Sequence, residues 1–319
     1  MDPLVLSEIK TVTEAHSVRE LEVIQTLWSG YGQIIRLEID YGEKDSLILK
    51  HIDLTEVTHH PRGWNTNLSH QRKVKSYEVE THWYQNWNQE GSNTYRIPKA
   101  IFTKSFGDNH IILMEDLDLA GFPVRKTHLN FTEVKVCLQW LAQFHGSHIN
   151  QTPTDLWQEG TYWHLATRPD EWKAMNESPL KSQAERISQV LKNGKFQTIV
   201  HGDAKLANFC FSNDTKSVAA VDFQYVGGGC GMKDVAYFLG SCISEEECEL
   251  WEKELLNFYF EELKSSIKVE NLDFNELEKE WRLLFPFAWA DFERFLLGWM
   301  PTHQKLTGYS KRMVDRVLV

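Results

Sequence analysis

Between His201 and Asp222 the 319-residue sequence gathers side chains whose types and spacing suit one kind of chemistry. The run His201-Gly202-Asp203-Ala204-Lys205-Leu206-Ala207-Asn208 is followed, after a turn, by Asp222-Phe223-Gln224. Moving the γ-phosphoryl group of Mg-ATP to a hydroxyl needs a carboxylate that orients the hydroxyl and accepts its proton, and oxygen ligands for the Mg²⁺ that bridges the phosphates. Asp203 suits the first role. Asn208, five residues on, and Asp222, leaving a strand, suit the second. Lys205, two past Asp203, is placed to neutralise charge building on the transferred group. Each of these residues alone is an ordinary turn residue; together their spacing is that of the H-R-D-x-x-x-x-N and D-F-G pattern.

The elements that must position them are legible nearby. Thr198-Ile199-Val200 is a short apolar strand leading into His201, and Asn208 to Phe211 and Val218 to Phe223 form a hairpin about the Asn213-Asp214 turn. Upstream, residues 8–28 carry a helical pattern that Ser29-Gly30-Tyr31-Gly32 interrupts. Two strands follow, Gln33 to Ile39 and Ser46 to Ile52, the second carrying Lys50. After a polar stretch a helix is predicted from about Gln71 through Tyr77, Glu80 and Tyr84. Strands at Ala100 to Lys104 and His110 to Met114 end in Glu115-Asp116. Beyond this the pattern turns helical, with a capping-box start at Asn130 and Glu133 and apolar Val134, Leu138, Leu141 and Phe144 at helical spacing. The expectation is an α+β chain: a β-rich N-lobe with a small antiparallel sheet and one main helix over residues 1–115, and a mainly helical C-lobe over 116–319.

HGDAKLAN with VDFQ resembles the choline kinase, aminoglycoside phosphotransferase and ecdysteroid-kinase-like group of the protein-kinase-like superfamily. The stretches Glu80 to Tyr84, Leu113 to Leu117, Leu141 to His145 and Gly231 to Asp234 are similar, in order, to that group's αC helix, hinge, early C-lobe helix and post-DFG aspartate. The resemblance implies a bilobal kinase-like fold with ATP held between the lobes and Mg²⁺ on Asn208 and Asp222. It implies that Lys50 contacts the α- and β-phosphates and is held by Glu80, with Glu78 as the alternative partner. By the same resemblance the backbone near Met114, Glu115 and Leu117 meets adenine, and Asp234 holds the catalytic-loop backbone. Gly30 and Gly32 stand where a phosphate loop would be. No third glycine follows them until Gly42, so the full G-x-G-x-x-G is absent and a plain β-turn is the competing reading.

Composition narrows the partners. With 34 Lys+Arg against 45 Asp+Glu the net charge is −11, which argues against nucleic acid and anionic bilayers. No apolar stretch is long enough for a membrane span, and MDPLVLSEIK lacks the basic start of a signal peptide, so a cytoplasmic protein is expected. The five cysteines lack metal-site spacing and read as free, reduced and buried; His59-His60 reads as an exposed loop. Only residues 225–233 separate Gln224 from Asp234, too few for a phosphorylatable activation loop, and Gly202 stands where regulated protein kinases have an arginine. A small hydroxylated acceptor is expected, an amino alcohol, an aminoglycoside-like or a sterol-like molecule. The resemblance implies an acceptor pocket partly lined by the aromatic stretch Trp281 to Trp299, where Trp289 and Asp291 would offer a ring beside a carboxylate to a cation; plain core packing of these rings is the competing reading. The rival readings are a catalytically silent ATP-binding protein of the same fold and an ATPase. Oligomeric state leaves no mark on the sequence.

Overall fold

The computed structural model describes residues 1–27, 30–41, 44–54, 67–87, 94–106 and 109–318. Its contacts divide it into two units, Met1–Pro123 and Val124–Val319.

The first unit opens with α1 (Pro3–Thr13), whose amino end is capped by the Asp2 carboxylate on the Leu4 amide at 2.6 Å, and which stops at Glu14 in the left-handed region. Strands β1 (Ser17–Thr26), β2 (Gly32–Asp40) and β3 (Lys44–Asp53) follow, then α2 (Asn67–His82) running into a π-helical turn, Trp83–Trp87. Strands β4 (Ala100–Phe106) and β5 (Asn109–Glu115) complete a five-stranded antiparallel sheet in the order β1-β2-β3-β5-β4. Residues 17–26 are therefore a strand, where the spacing over 8–28 predicts continued helix. The apolar spacing of Ile9, Val12 and Leu21 crosses a real break at Glu14, and Val18, Val23, Ile24 and Thr26 favour the pleated backbone that pairs with β2.

Alternation along β3 decides where its lysine goes. Leu47 and Leu49 join Ile35, Leu37, Ile39, Ile111, Leu113, Val5 and Ile9 on the face covered by α1. The alternate residues point to the other face, where Ile52 packs with Tyr77 of α2. Lys50 shares that face, in the strand between β2 and β5, opposite Ile34 and Ile112.

The second unit contains α3 (Phe131–Ser147), with the capping box that Asn130 and Glu133 predict. Short helices α4 (Pro169–Ala174), α5 (Pro179–Ser182) and α6 (Ala184–Lys192) precede β6 (Thr198–Val200). The hairpin β7 (Phe209–Phe211) and β8 (Val218–Ala220) is followed by β9 (Gly227–Gly229), which pairs antiparallel with β6. Helices α7 (Met232–Cys242), α8 (Glu245–Ser266), α9 (Phe274–Trp299) and α10 (Gly308–Leu318) finish the chain. The glycine run holding β9 is a strand because its backbone lies against other backbone: a Cβ on Gly227 would stand 2.2 Å from the Trp157 carbonyl oxygen. All five cysteines are free and buried. Among the described residues no helix is long and apolar enough to cross a membrane. His59 and His60 lie outside the described residues.

Candidate active site

Lys50 and Glu80 are both almost fully buried, with Lys50 Nζ 2.6 Å from Glu80 Oε2. Glu80 reaches it because it lies three residues past Tyr77, on the helical face that packs on β3. Glu78 is half exposed and beside Lys75 at 3.7 Å, so Glu80 is the lysine's partner. Gly30 and Gly32 close the β1–β2 hairpin: the Leu27 amide donates to the Gly32 carbonyl and the Gly30 amide to the Leu27 carbonyl. Both glycines have positive φ, 76° and 138°, and a Cβ on Gly32 would collide with the His51 carbonyl oxygen. At the end of β5, Met114 and Leu117 are buried. The Glu115 carboxylate is taken by Arg96 at 2.7 Å and its amide donates to the Lys99 carbonyl. The acidic turn beyond it is clamped by Arg36, whose Nε bonds Asp116 at 2.7 Å and which also pairs with Asp118.

In the second unit one buried carboxylate sets the candidate catalytic loop. Asp234 accepts the His201 amide on Oδ2 at 2.6 Å and the Gly202 amide on Oδ1 at 3.0 Å. His145, from α3, holds the same carboxylate through Nε2 at 3.1 Å while its Nδ1 meets the Tyr259 hydroxyl at 2.8 Å. Gly202 has φ 80°, and a Cβ there would stand 2.0 Å from the Tyr225 carbonyl oxygen. With this backbone an arginine is sterically excluded at position 202. His201 is a structural group: its Nε2 donates to the Val221 carbonyl at 3.1 Å and its Nδ1 accepts the Asp203 amide at 3.3 Å. Burial lowers its pKa against the pull of Asp234, Asp203 and Asp222, and the neutral ring suits both bonds.

Asp203, Lys205 and Asn208 converge. Lys205 Nζ lies 2.8 Å from Asp203 Oδ2, and Asn208 Nδ2 donates to the Asp203 carbonyl at 2.8 Å and to Oδ2 at 3.2 Å. The negative charge of Asp203 raises the Lys205 pKa; burial opposes it and Asp222 adds to it. Across the hairpin the Val221 amide donates to the Asn208 carbonyl at 3.0 Å, which brings the next residue, Asp222, beside the loop. Asp222 has φ 70°, a left-handed backbone that a non-glycine residue adopts at some cost, and Gln224 Nε2 steadies its Oδ1 at 2.7 Å.

The donor chemistry fits Mg²⁺. Asn208 directs its amide nitrogen to Asp203, which leaves its carbonyl oxygen as the ligand atom, and Asp222 adds a carboxylate. Among the described residues no three His, Cys, Asp or Glu side chains could hold a metal by themselves, so this pair would share the ion with nucleotide phosphates and water.

The aromatic stretch of α9 divides into two groups, and the residues expected to line a cation site fall in the core. Trp281 donates to the Phe196 carbonyl at 3.0 Å, Trp289 packs on Tyr309 and against Gly240, and the buried Asp291 is tied to Arg294 at 2.9–3.0 Å. Twenty-six residues of helix present more than one face, and spacing alone does not say which meets the core. Phe292, Phe295 and Trp299 point elsewhere, into a cluster with Tyr162, Trp163 and Tyr237. Tyr237 joins Tyr162 hydroxyl to hydroxyl at 3.3 Å. Its phenol lies against Asp203, and burial, with Tyr162 and Asp203 behind it, keeps it protonated far above the usual tyrosine range. Neither tyrosine, nor Lys305 beside them, stands out in the sequence, because isolated residues without a spacing rule carry no local signal.

The ecdysteroid kinase-like family model matches residues 32–152 and 163–272, well over half of the chain. The chain belongs to the ecdysteroid kinase-like family. This is a family of kinase-like small-molecule phosphotransferases. No curated protein matches the sequence significantly. Among solved structures, the ethanolamine kinase of Plasmodium vivax superposes with TM-score 0.56 at 13% identity, covering 99% of this chain and 86% of that one. A protein of Thermobifida fusca described as a candidate fructosamine-3-kinase gives 0.54 at 13% identity, covering 98% of each. An amicoumacin kinase in complex with AMP-PNP and Ca²⁺ gives 0.48 at 12% identity, covering 100% of this chain and 92% of that one. At such identities the first two establish the fold: this ecdysteroid kinase-like chain has the kinase-like α+β architecture.

Proposed function

We propose that this ecdysteroid kinase-like protein transfers the γ-phosphoryl group of Mg-ATP to a hydroxyl of a small molecule. The observation that carries the reading is the convergence of Lys205 and Asn208 on one carboxylate, Asp203, in a loop whose backbone Asp234 holds by two amides. A group so fixed suits proton acceptance from an oriented hydroxyl rather than mere turn formation.

Mg-ATP, when bound, supplies the electrophilic phosphorus. Asp203 would orient the acceptor hydroxyl and take its proton as the oxygen–phosphorus bond forms and the γ-phosphorus parts from the bridging oxygen, giving a phosphate monoester and ADP. Lys205 would offset charge on the transferred group, Asn208 and Asp222 would hold the metal, and Lys50, fixed by Glu80, would meet the α- and β-phosphates. Gly30, Gly32 and the backbone around Met114, Glu115 and Leu117 complete the proposed nucleotide contacts. The silent ATP-binding alternative is not favoured, because Lys50, Asp203, Asn208 and Asp222 are all present. ADP release measured with and without amino alcohols, aminoglycosides, sugars, sterols and hydroxy acids tests the reading. Acceptor-dependent ADP release supports it. ADP release that no acceptor stimulates would instead indicate an ATPase.

A further inference from the structure

The ring faces beside Asp203 are already covered by cations from within the chain. Arg168 lies over Tyr162 and Phe295, 5.5 and 5.1 Å from their centroids, and Lys305 lies over Tyr237 and Phe292 at 4.4 and 5.6 Å. The two cations differ in how they are neutralised. Arg168 pairs with Glu171 at 3.0 Å and donates to the Tyr162 carbonyl at 2.6 Å. Lys305, in the turn between α9 and α10, has no carboxylate or other hydrogen-bond acceptor on its ammonium among the described residues. Its surroundings are Asp203 and Lys205 of the catalytic loop, Tyr237 and the protonated Cys242 thiol of α7, Phe292 of α9, and His303 of its own turn, whose Nδ1 accepts the Lys305 amide at 3.1 Å. Burial lowers its pKa to about 8, with Asp203 opposing and Lys205 adding to the fall.

Apart from Asp203, which Lys205 meets at 2.8 Å, the carboxylates that an amino-alcohol site would need are directed elsewhere. Asp291 is bound by Arg294, and Glu293 meets Ser310 of α10. The Lys305 charge by itself would disfavour a second cation about 5 Å away on the order of a hundredfold at an effective dielectric near 20, and favour an anion correspondingly; the Asp203 charge nearby is matched by Lys205 at 2.8 Å. Rings already capped by cations add no cation–π site for the ligand.

We propose that Lys305 is an acceptor-binding residue and that the acceptor is a hydroxylated molecule bearing an anionic group, a carboxylate, sulfate or phosphate ester, which Lys305 pairs with while Asp203 takes the hydroxyl. The placement of the hydroxyl rests on the phosphotransfer reading above; the charge preference rests on Lys305 alone.

The test uses three matched probes that each carry an aliphatic hydroxyl beside a ring: mandelate, mandelamide and phenylethanolamine. Calorimetric titration into the full-length protein with Mg²⁺ and AMP-PNP at pH 7 is expected to rank mandelate at least tenfold tighter than phenylethanolamine. Lys305→Met should weaken mandelate at least tenfold and leave mandelamide within about twofold, and Lys305→Arg should restore mandelate; thermal melts of both variants show whether they are folded. Raising the pH through about 8 should weaken mandelate in the wild type, as Lys305 loses its proton, and not in Lys305→Arg. Equal or tighter phenylethanolamine, no detectable mandelate binding, or mandelate affinity untouched by Lys305→Met would each overturn the proposal. No turnover is needed, so a failed kinase assay beside an intact mandelate preference rejects only the phosphotransfer reading.

Discussion

The Val221 amide donates to the Asn208 carbonyl at 3.0 Å, and this single backbone bond ties the second metal-ligand candidate to the first. Asp222 follows Val221, so its carboxylate is delivered to the loop by strand pairing rather than by sequence proximity. Asp222→Ala should therefore weaken Mg-ATP binding at least tenfold and lower turnover with it, whereas folding should change little. Titration of Mg-ATP by calorimetry checks this, and unchanged nucleotide affinity would remove Asp222 from the metal site.

The buried Lys50–Glu80 pair yields a stability prediction independent of any substrate. Removing one member takes away the counter-charge that the other meets at 2.6 Å in the sheet–helix core, at a cost of about 3–5 kcal/mol, while replacing both with apolar residues costs much less. Urea unfolding of Lys50→Met, Glu80→Leu and the double variant should show the double variant more stable than either single one. Simple additivity would indicate that the 2.6 Å pair is not maintained in solution.

Particular residues show how far the sequence was readable. The capping box at Asn130 and Glu133 is local, so α3 was legible to its first residue. The convergence of Asp203, Lys205 and Asn208 was legible because they lie within six positions of one another. The strand Ser17–Thr26 was not, since its side chains are mostly exposed and its state is set by pairing with β2. Trp289 and Asp291 looked like a ring beside an acid, yet Arg294, only three residues past Asp291, takes the acid and Tyr309 the ring. Tyr162, Tyr237 and Lys305 meet from positions up to 143 residues apart, a juxtaposition that only the tertiary fold creates.

Gly202 is a position at which even the smallest substitution should fail. Its φ of 80° and the 2.0 Å approach of the Tyr225 carbonyl leave no space for a methyl group. Gly202→Ala is expected to cost at least about 2 kcal/mol and to move the Asp203 loop. A thermal melt within a degree or two of wild type would contradict this backbone geometry.

Acid should destabilise the second unit through histidines buried in the neutral state. Burial lowers His148 and His164 to about 4, and lowers His201 as well. The unfolded chain, with ordinary values near 6.5, binds these protons first. The stability due to the neutral rings is therefore complete above about pH 6.5 and is lost as pH falls toward 4, by about 3 kcal/mol for each of the first two. Urea midpoints at pH 7 and pH 5 measure the loss, which His164→Asn should reduce. A flat profile across that window would show these rings to be solvated.

The central claim is that Asp203 receives the proton of an attacking hydroxyl, and ³¹P NMR of products formed with the acceptor found by the ADP screen tests it most directly. The wild type should give a new phosphomonoester resonance in step with ADP. Asp203→Asn should bind Mg-ATP within a few-fold of wild type and form that ester at least a thousandfold more slowly. Ester formation by Asp203→Asn at a rate close to wild type would contradict the account.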